Sequence, residues 1–282
     1  MKSNEPFILE KSEYYNYQPS QIARQTFFYP IAIGHFFYEK GYQQYRNSYD
    51  SFLLIYIVSG TLRIDMNGTW FDATKYQFVL LDCYRPHGYQ ATDDCECLWF
   101  HFDGCTADSY VSLITEKLTA SFYSRDSYYI VEKIRKLYDI FNKRQTIREA
   151  EMSKLITDIL TALLLSESDS EASAHEDSIG SIVTYINEHF DLPLSIDLLA
   201  KQASLSPYYF IRTFKKQTGF TPHEYIIHTR INAAKYLLKS TSQSVRSICF
   251  ECGFSSESVF CNAFKKKMKM TPAEYRSHGG DV

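Results

Sequence analysis

No apolar run in this sequence approaches the roughly 18 residues that a membrane-spanning helix needs, and Met1-Lys-Ser-Asn-Glu5 leads into no apolar core of signal-peptide length. A cytoplasmic protein is expected. Cysteine is present in an odd number, seven, and without an export signal reduced thiols are the default. Cys249-x-x-Cys252 has the spacing of zinc ligands but no second pair, and Cys95-x-Cys97 near His101 is equally isolated; all four read as small buried hydrophobes. The marks of catalysis are missing too: there is no phosphate-cradling loop, no Gly-x-Ser-x-Gly elbow and no pair of closely spaced histidines. Neither an enzyme nor a bound metal or cofactor is expected.

What is abundant is aromatic. With 23 Tyr and 20 Phe in 282 residues there is material for two cores, and the length predicts about two domains. The overall charge of −3 hides an asymmetry: residues 179–282 carry 13 Lys and Arg against 8 Asp and Glu, a net of +5, and the remainder carries 17 against 25, a net of −8. The basic end is the candidate binder of a polyanion.

That end says the same thing twice. Ser206-Pro-Tyr-Tyr-Phe-Ile-Arg-Thr-Phe-Lys-Lys216 returns fifty positions later as Ser256-Glu-Ser-Val-Phe-Cys-Asn-Ala-Phe-Lys-Lys266, and Thr221-Pro-His-Glu-Tyr225 returns as Thr271-Pro-Ala-Glu-Tyr275. Each copy reads as a helix, a tight turn and a second helix that buries a Phe pair, Phe210 with Phe214 and Phe260 with Phe264. Side chains at i, i+3, i+4 and i+7 share a stripe, so Tyr208, Ile211, Arg212 and Lys215 face outward in the first copy. In the second, Ser258, Cys261, Asn262 and Lys265 do so, with Glu257 beside them. Arginine bridges the two acceptors of guanine, asparagine does the same for adenine, and glutamate accepts from cytosine; the lysines suit phosphates. Thr221-Pro-His-Glu224 is a capping box that opens a connecting helix. From Pro222 to Leu238 that rod spans roughly 26 Å, enough with the width of the modules to reach successive major grooves about 34 Å apart. The bland alternative is a helical protein-interaction module with solvated lysines.

Residues 195–276 resemble the double helix-turn-helix domain of the AraC/XylS family of transcription regulators. The resemblance rests on Ile248-Cys249, Gly253-Phe254, Ser256, Phe260, Phe264-Lys-Lys266, Thr271-Pro272, Tyr275-Arg276 and Arg230-Ile-Asn-x-Ala-x-x-Leu-Leu238. Two residues depart from the pattern: Cys249 replaces an alanine and Lys269 stands where glycine is common. The resemblance implies that Tyr208, Ile211, Arg212, Glu257, Ser258 and Asn262 read bases, with Lys215 and Lys265 on the backbone.

Toward the N-terminus the period changes to two. Leu62-Arg-Ile-Asp-Met66 alternates, Asn67-Gly68 signals a hairpin and Thr69-Trp-Phe-Asp-Ala73 returns; Ile31–Tyr38, Phe52–Val58, Phe78–Leu81, His87–Thr92 and Cys95–Phe102 are further strands of a sandwich or small barrel. In the last of these Cys95, Cys97, Trp99 and His101 share a face, opposite Leu98, Phe100 and Phe102. Trp99, His101, His87 and Tyr89 can then line a barrel interior suited to a sugar: flat aromatic surface for C–H faces and a few polar tips for hydroxyls.

Tyr49–Gly104 resembles the cupin-type sensor domain of arabinose- and rhamnose-type regulators, through Tyr56-Ile-Val-Ser-Gly60, Asn67-Gly68, Pro86-His-Gly-Tyr89 and Trp99-Phe-His-Phe-Asp-Gly104. The likeness implies that Tyr89 and Trp99 contact the ligand. The arginine that holds the sugar in that type is Ser59 here, which argues against arabinose, and leaves Arg46, Arg85 or His35 as the replacement donor. Enzymes of the cupin type hold a metal with two close histidines, a glutamate and a later histidine; His87 has no such companions.

The expected architecture is two domains, an all-β cupin-like barrel with two following helices and an all-α double helix-turn-helix. Residues 1–26 form an N-terminal arm, 27–126 the sensing barrel, 127–165 a helical pair, 166–178 a flexible acidic linker and 179–282 the DNA-binding domain. The stripe on the helical pair, Ile130, Ile134, Leu137, Tyr138 and Phe141 with Met152, Leu155, Ile156, Ile159, Leu160, Leu163 and Leu164, is wide enough to pack on the barrel and to meet its copy in a homodimer. The resemblance implies an activator that responds to a small carbohydrate, with promoter half-sites and RNA polymerase as partners. A DNA binder whose barrel only dimerises, and a cupin enzyme with a DNA-binding tail, are the alternatives.

Overall fold

The run Phe52-Leu-Leu-Ile-Tyr-Ile-Val58 does not alternate, and an unbroken apolar strand must be covered on both faces. In a computed structural model, which describes residues 2, 5–166 and 171–277, that run is the middle of a two-layered β structure. Ten strands form it: β1 (Glu13–Asn16), β2 (Phe28–Tyr38), β3 (Gln43–Arg46), β4 (Phe52–Ser59), β5 (Thr61–Met66), β6 (Thr69–Thr74), β7 (Phe78–Asp82), β8 (His87–Ala91), β9 (Cys95–Gly104) and β10 (Ser121–Phe122). One sheet has the order β1-β2-β9-β4-β7-β10, the other β3-β8-β5-β6. All pairings are antiparallel. Asn67 and Gly68, with φ of 54° and 83°, close the β5–β6 hairpin as the left-handed residues its tight turn demands.

The six-stranded sheet has two cores, one on each side. Leu53, Ile55 and Ile57 of β4 point between the sheets with Phe36, Leu62, Ile64 and Cys97. Leu54 and Tyr56, with Phe78, Leu98, Phe100 and Phe102, point the other way, against helices α2 (Ala107–Lys117), α3 (Ser127–Asn142) and α4 (Glu149–Leu165). The outer face of the second sheet is largely solvated, so β6 alternates and β4 does not.

Expectation and structure meet at three places, and at the third they differ. The N-terminal stretch contributes edge strand β1 and a short helix, α1 (Gln21–Thr26), capped by Ser20. The apolar stripe on α3 and α4 is used inside the chain: Ile130, Ile134, Leu137, Met152, Ile156, Ile159, Leu160 and Leu163 are wholly buried against the barrel, so a second chain would have to meet these helices on another face. Of the acidic stretch expected to be a linker, residues 167–170 lie outside the described residues. From Glu171 the backbone is already helix α5 (Glu171–Glu188). Alanine and glutamate there are good helix formers, and acidic residues are favoured at a helix N-terminus.

The chain divides into two units, Met1–Ser168 and Asp169–Val282. In the second, α5 is followed by α6 (Ile196–Gln202), α7 (Pro207–Thr218), α8 (Pro222–Ser240), α9 (Val245–Glu251), α10 (Glu257–Met268) and α11 (Pro272–Ser277). There are two small cores. Ile182, Ile186, Leu199, Phe210 and Phe214 make one with Ile226 at the start of α8; Ile248, Cys249, Phe260 and Phe264 make the other with Ile231, Ala234 and Leu238 further along the same helix. Helix α8 is thus the shared wall of both modules. Among the described residues no helix is long and apolar enough to cross a membrane.

Candidate functional site

Helices α7 and α10 are built by the same local rules. The Ser206 side chain accepts from Tyr209 N at 3.4 Å and that of Ser256 from Val259 N at 3.3 Å, each satisfying one orphan N–H of a first turn. Each helix ends on a left-handed residue, Gly219 (φ 77°) in the first and Lys269 (φ 63°) in the second. The turns that precede them also need a left-handed residue, supplied by Ser204 (φ 57°) and Gly253 (φ 75°). Each copy therefore has one glycine and one side-chain-bearing residue in these two places, in opposite order.

At 3.6 residues per turn, the direction opposite the buried Phe210–Phe214 pair is occupied by Arg212, and opposite Phe260–Phe264 by Asn262. All eight residues expected to face a polyanion are exposed: Tyr208, Ile211, Arg212, Lys215, Glu257, Ser258, Asn262 and Lys265. Four more stand within the same outward arc and were missed: Tyr209, Lys216, Val259 and Lys266. Tyr209 and Val259 lie nearer its centre than Ile211 and Glu257 do. Measuring angles from the midpoint of each Phe pair, rather than stepping from one residue, finds them. Lysines crowd the last turn of each helix, Lys215 and Lys216 on α7 and Lys265, Lys266 and Lys267 on α10.

The two helices are held by polar links to and around α8. Its capping box is complete: Thr221 N donates to Glu224 Oε2 at 2.8 Å, and Glu224 N to Thr221 Oγ1 at 3.3 Å. Thr271 and Glu274 repeat it at 2.7 and 3.2 Å. Arg230 donates to the carbonyls of Phe190 and Leu192 (2.7 and 2.8 Å) and lies over the Phe254 ring. It ties the loop after α5 to the turn of the second module. At that turn a Cβ on Gly253 would stand 2.6 Å from the Asp191 carbonyl oxygen, so the position excludes any side chain twice over, by space and by φ.

Between the two sheets of the other unit lies a cavity of about 240 Å³. Arg46, Tyr89, Trp99 and His101 line it. The Arg46 guanidinium donates to Tyr89 Oη at 3.3 Å and lies over the Tyr49 ring at 5.1 Å. His101 Nδ1 is 2.8 Å from Ser51 Oγ. Burial, then the Arg46 charge, then His87 push its pKa down to about 3, so the ring is neutral. Trp99 packs edge-to-face on Phe36 and on His101, and its buried Nε1–H has no partner. Gly34 makes room for it: a Cβ there would stand 2.5 Å from Trp99 Cε2.

The remaining three predicted residues are elsewhere. His35 is one residue out of phase with Phe36 on β2, so its ring turns to the outer face, where Nε2 meets Glu96 Oε1 at 2.8 Å. Arg85 is exposed and pairs with Asp82. His87 is buried beside the cavity without lining it; its Nδ1 donates to the Arg85 carbonyl at 2.8 Å, and burial holds its pKa below the ordinary value. Missed by the sequence were the contributions of β1 and the residues before it. Tyr14 and Asn16 line the cavity, and Glu5 reaches its wall to accept from Tyr42 Oη at 3.1 Å. The odd residues turn the other way: Tyr15 of β1 and Tyr17 just after it pack on Phe141, and Tyr17 Oη donates to Glu149 at 2.8 Å. The alternation of Tyr14-Tyr15-Asn16-Tyr17 was the available signal.

Cys95 and Cys97 are buried thiols with sulfurs 3.4 Å apart, and Cys249 and Cys252 are buried in the core of the second module. Among the described residues no group of three or more His, Cys, Asp and Glu is placed to hold a metal ion.

Residues 199–278 match the family model of a helix-turn-helix domain, and residues 32–179 that of an AraC-like ligand binding domain. The chain is 33% identical over 103 residues to the regulatory protein SoxS of Salmonella typhimurium, a match that covers 36% of this chain and 96% of that protein. It is 32% identical over 133 residues to the HTH-type transcriptional regulator MtrA of Neisseria gonorrhoeae, covering 45% of this chain and 44% of that protein, so it spans less than half the length of this relative. The Msm operon regulatory protein of Streptococcus mutans is 23% identical over 260 residues, covering 88% and 93%.

Proposed function

The chain belongs to the AraC family of DNA-binding transcription regulators, with an AraC-like ligand-binding domain, and from that premise we propose that it is an activator whose effector is a small carbohydrate held in the barrel cavity. The observation that carries the effector reading is the cavity itself. It offers aromatic walls at Tyr89 and Trp99, a cation at Arg46 and a neutral imidazole at His101. Flat π-surfaces next to a few fixed polar groups match the alternating C–H and O–H surface of a sugar. At about 240 Å³ the space is below the ~300–1,000 Å³ of drug-sized sites, which fits one ring better than two.

On the DNA side, α7 and α10 enter successive major grooves. Arg212 bridges guanine, Asn262 bridges adenine, Tyr208, Ile211, Glu257 and Ser258 touch neighbouring base edges, and Lys215 and Lys265 hold phosphates. The effector acts by favouring one arrangement of a homodimer over another, since only differential affinity moves such an equilibrium. In that reading residues 1–26 are a sensing arm, 27–126 the sensor, 127–165 a support for the dimer and 179–282 the DNA reader, acting in the cytoplasm and passing its signal to RNA polymerase. No chemical step is asked of it.

The alternative in which the barrel only dimerises would be favoured by Tyr89 and Trp99 filling the interior themselves; they leave a cavity instead. A thermal-shift screen of the full chain against mono- and disaccharides tests the proposal, because a ligand that binds only the folded state raises the midpoint by mass action. A saturable rise with one sugar is expected. No rise across the panel would return the barrel to a dimerisation role.

A further inference from the structure

We propose that the occupant of the cavity is an anion, a sugar acid one ring in size whose carboxylate pairs with the Arg46 guanidinium. The inference rests on the carbohydrate reading above and narrows it. Arg46 is half-buried at the cavity wall. One of its N–H groups goes to Tyr89 Oη and its Cζ lies 5.1 Å from the Tyr49 ring centre, which leaves most of its five donors without an acceptor among the described residues. Among the described residues no carboxylate pairs with it. The other basic side chain on the wall, His101, is neutral, so Arg46 is the permanent cation of the lining. Its charge reaches across the space: burial, the larger effect, raises the Tyr89 hydroxyl's pKa, and Arg46 pulls against it.

The one carboxylate on the lining, Glu5, is bonded to Tyr42 and not to Arg46. A half-buried cation with no directly paired carboxylate gains from a ligand that supplies one, which is then favoured over a neutral ligand of the same shape. A carboxylate also matches the guanidinium fork with two parallel bonds. A donor surplus of this kind selects an acceptor-rich ligand. The tyrosine hydroxyls that accompany it, those of Tyr14, Tyr42 and Tyr89 among them, serve the hydroxyls of a polyol and have no purpose toward a bare aromatic acid.

The test is isothermal titration of the full chain with D-galacturonate, D-glucuronate, D-galactonate and D-gluconate, their neutral parents D-galactose and D-glucose, and benzoate as a carboxylate without hydroxyls. At least one sugar acid is expected to bind ten-fold or more tightly than its parent sugar, and more weakly as salt is added. Arg46→Gln is expected to raise the Kd of that acid about 10–100-fold, the loss of a charge-assisted pair, and Arg46→Lys to recover part of it. The indole emission of Trp99 checks that each variant is folded. A parent sugar that binds as well as its acid, or an acid that Arg46→Gln holds as tightly as the parent chain does, overturns the anion and leaves the carbohydrate site standing. Binding of benzoate without any sugar acid, or of nothing in the panel, overturns both.

Discussion

Substituting Gly34→Ala is the sharpest probe of the cavity, because its effect runs through one ring. The added Cβ would stand 2.5 Å from Trp99 Cε2 and 3.0 Å from Trp99 Nε1, whereas carbon atoms pack at ~3.5–4.0 Å. The indole must retreat by about 1 Å, and the direction open to it is the cavity it lines. Overpacking of this sort costs about 1–3 kcal/mol, which for a unit of this size lowers Tm by about 2–4 °C per kcal/mol. The chain has two tryptophans, and the other, Trp70, is 51% exposed, so the blue edge of the emission reports Trp99. Gly34→Ala is expected to shift that emission, lower Tm and reduce effector affinity together. Trp99→Phe removes the atoms that clash, and in that background Gly34→Ala should be nearly neutral, a coupling read directly from the double-mutant cycle. A Gly34→Ala variant with unchanged emission and Tm would refute the placement of the indole over Gly34.

Other outcomes follow from the same geometry. Lys269→Gly and Ser204→Gly relieve left-handed residues and are each expected to raise stability by about 0.5–1 kcal/mol, after the glycine's entropy offsets part of the ~1–2 kcal/mol strain, whereas Gly253→Ala is strongly destabilising; urea midpoints decide. Arg212→Ala should lower affinity for a specific site by about 1–3 kcal/mol while Lys215→Ala weakens all sequences alike, and equal losses from both on specific and random DNA would remove Arg212 from base reading. His101 is neutral when folded, with its pKa depressed to about 3, so the unfolded chain binds the extra proton first. Its contribution to stability is complete above the ordinary histidine range near 6.5 and is lost as pH falls toward 3, with a slope of up to about 1.4 kcal/mol per pH unit. A His101→Gln chain with the same slope between pH 7 and 5 would exclude this origin.

The double module was legible because it is written in short-range signals that occur twice. Serine caps, proline at the first helical position and Phe pairs four apart need no partner to be interpreted, and α7, α8 and α10 start where those signals place them. The faces of β9 were legible for a similar reason: ten residues of alternation fix a phase. What failed was phase without length. Strands β1 (Glu-Tyr-Tyr-Asn) and β3 (Gln-Gln-Tyr-Arg) are four residues each, too few for alternation to fix a phase, and both lie at the edge of their sheets. His35 was misplaced by a single residue, the error to which a period of two is most sensitive. The helical stripe on α3 and α4 was read correctly as apolar, but its width does not say what covers it; the barrel does.

Strand β1 has a property that no loop could share. Tyr14 and Asn16 stand in the cavity, Tyr15 and, just past the strand, Tyr17 stand on α3 and the start of α4, and the two sets alternate along one extended backbone. Alternation places the two sets on opposite sides of one extended backbone, so a shift of that backbone is felt on both sides. A ligand that presses on the cavity side of this backbone therefore meets the same residues whose neighbours hold α3 and the start of α4.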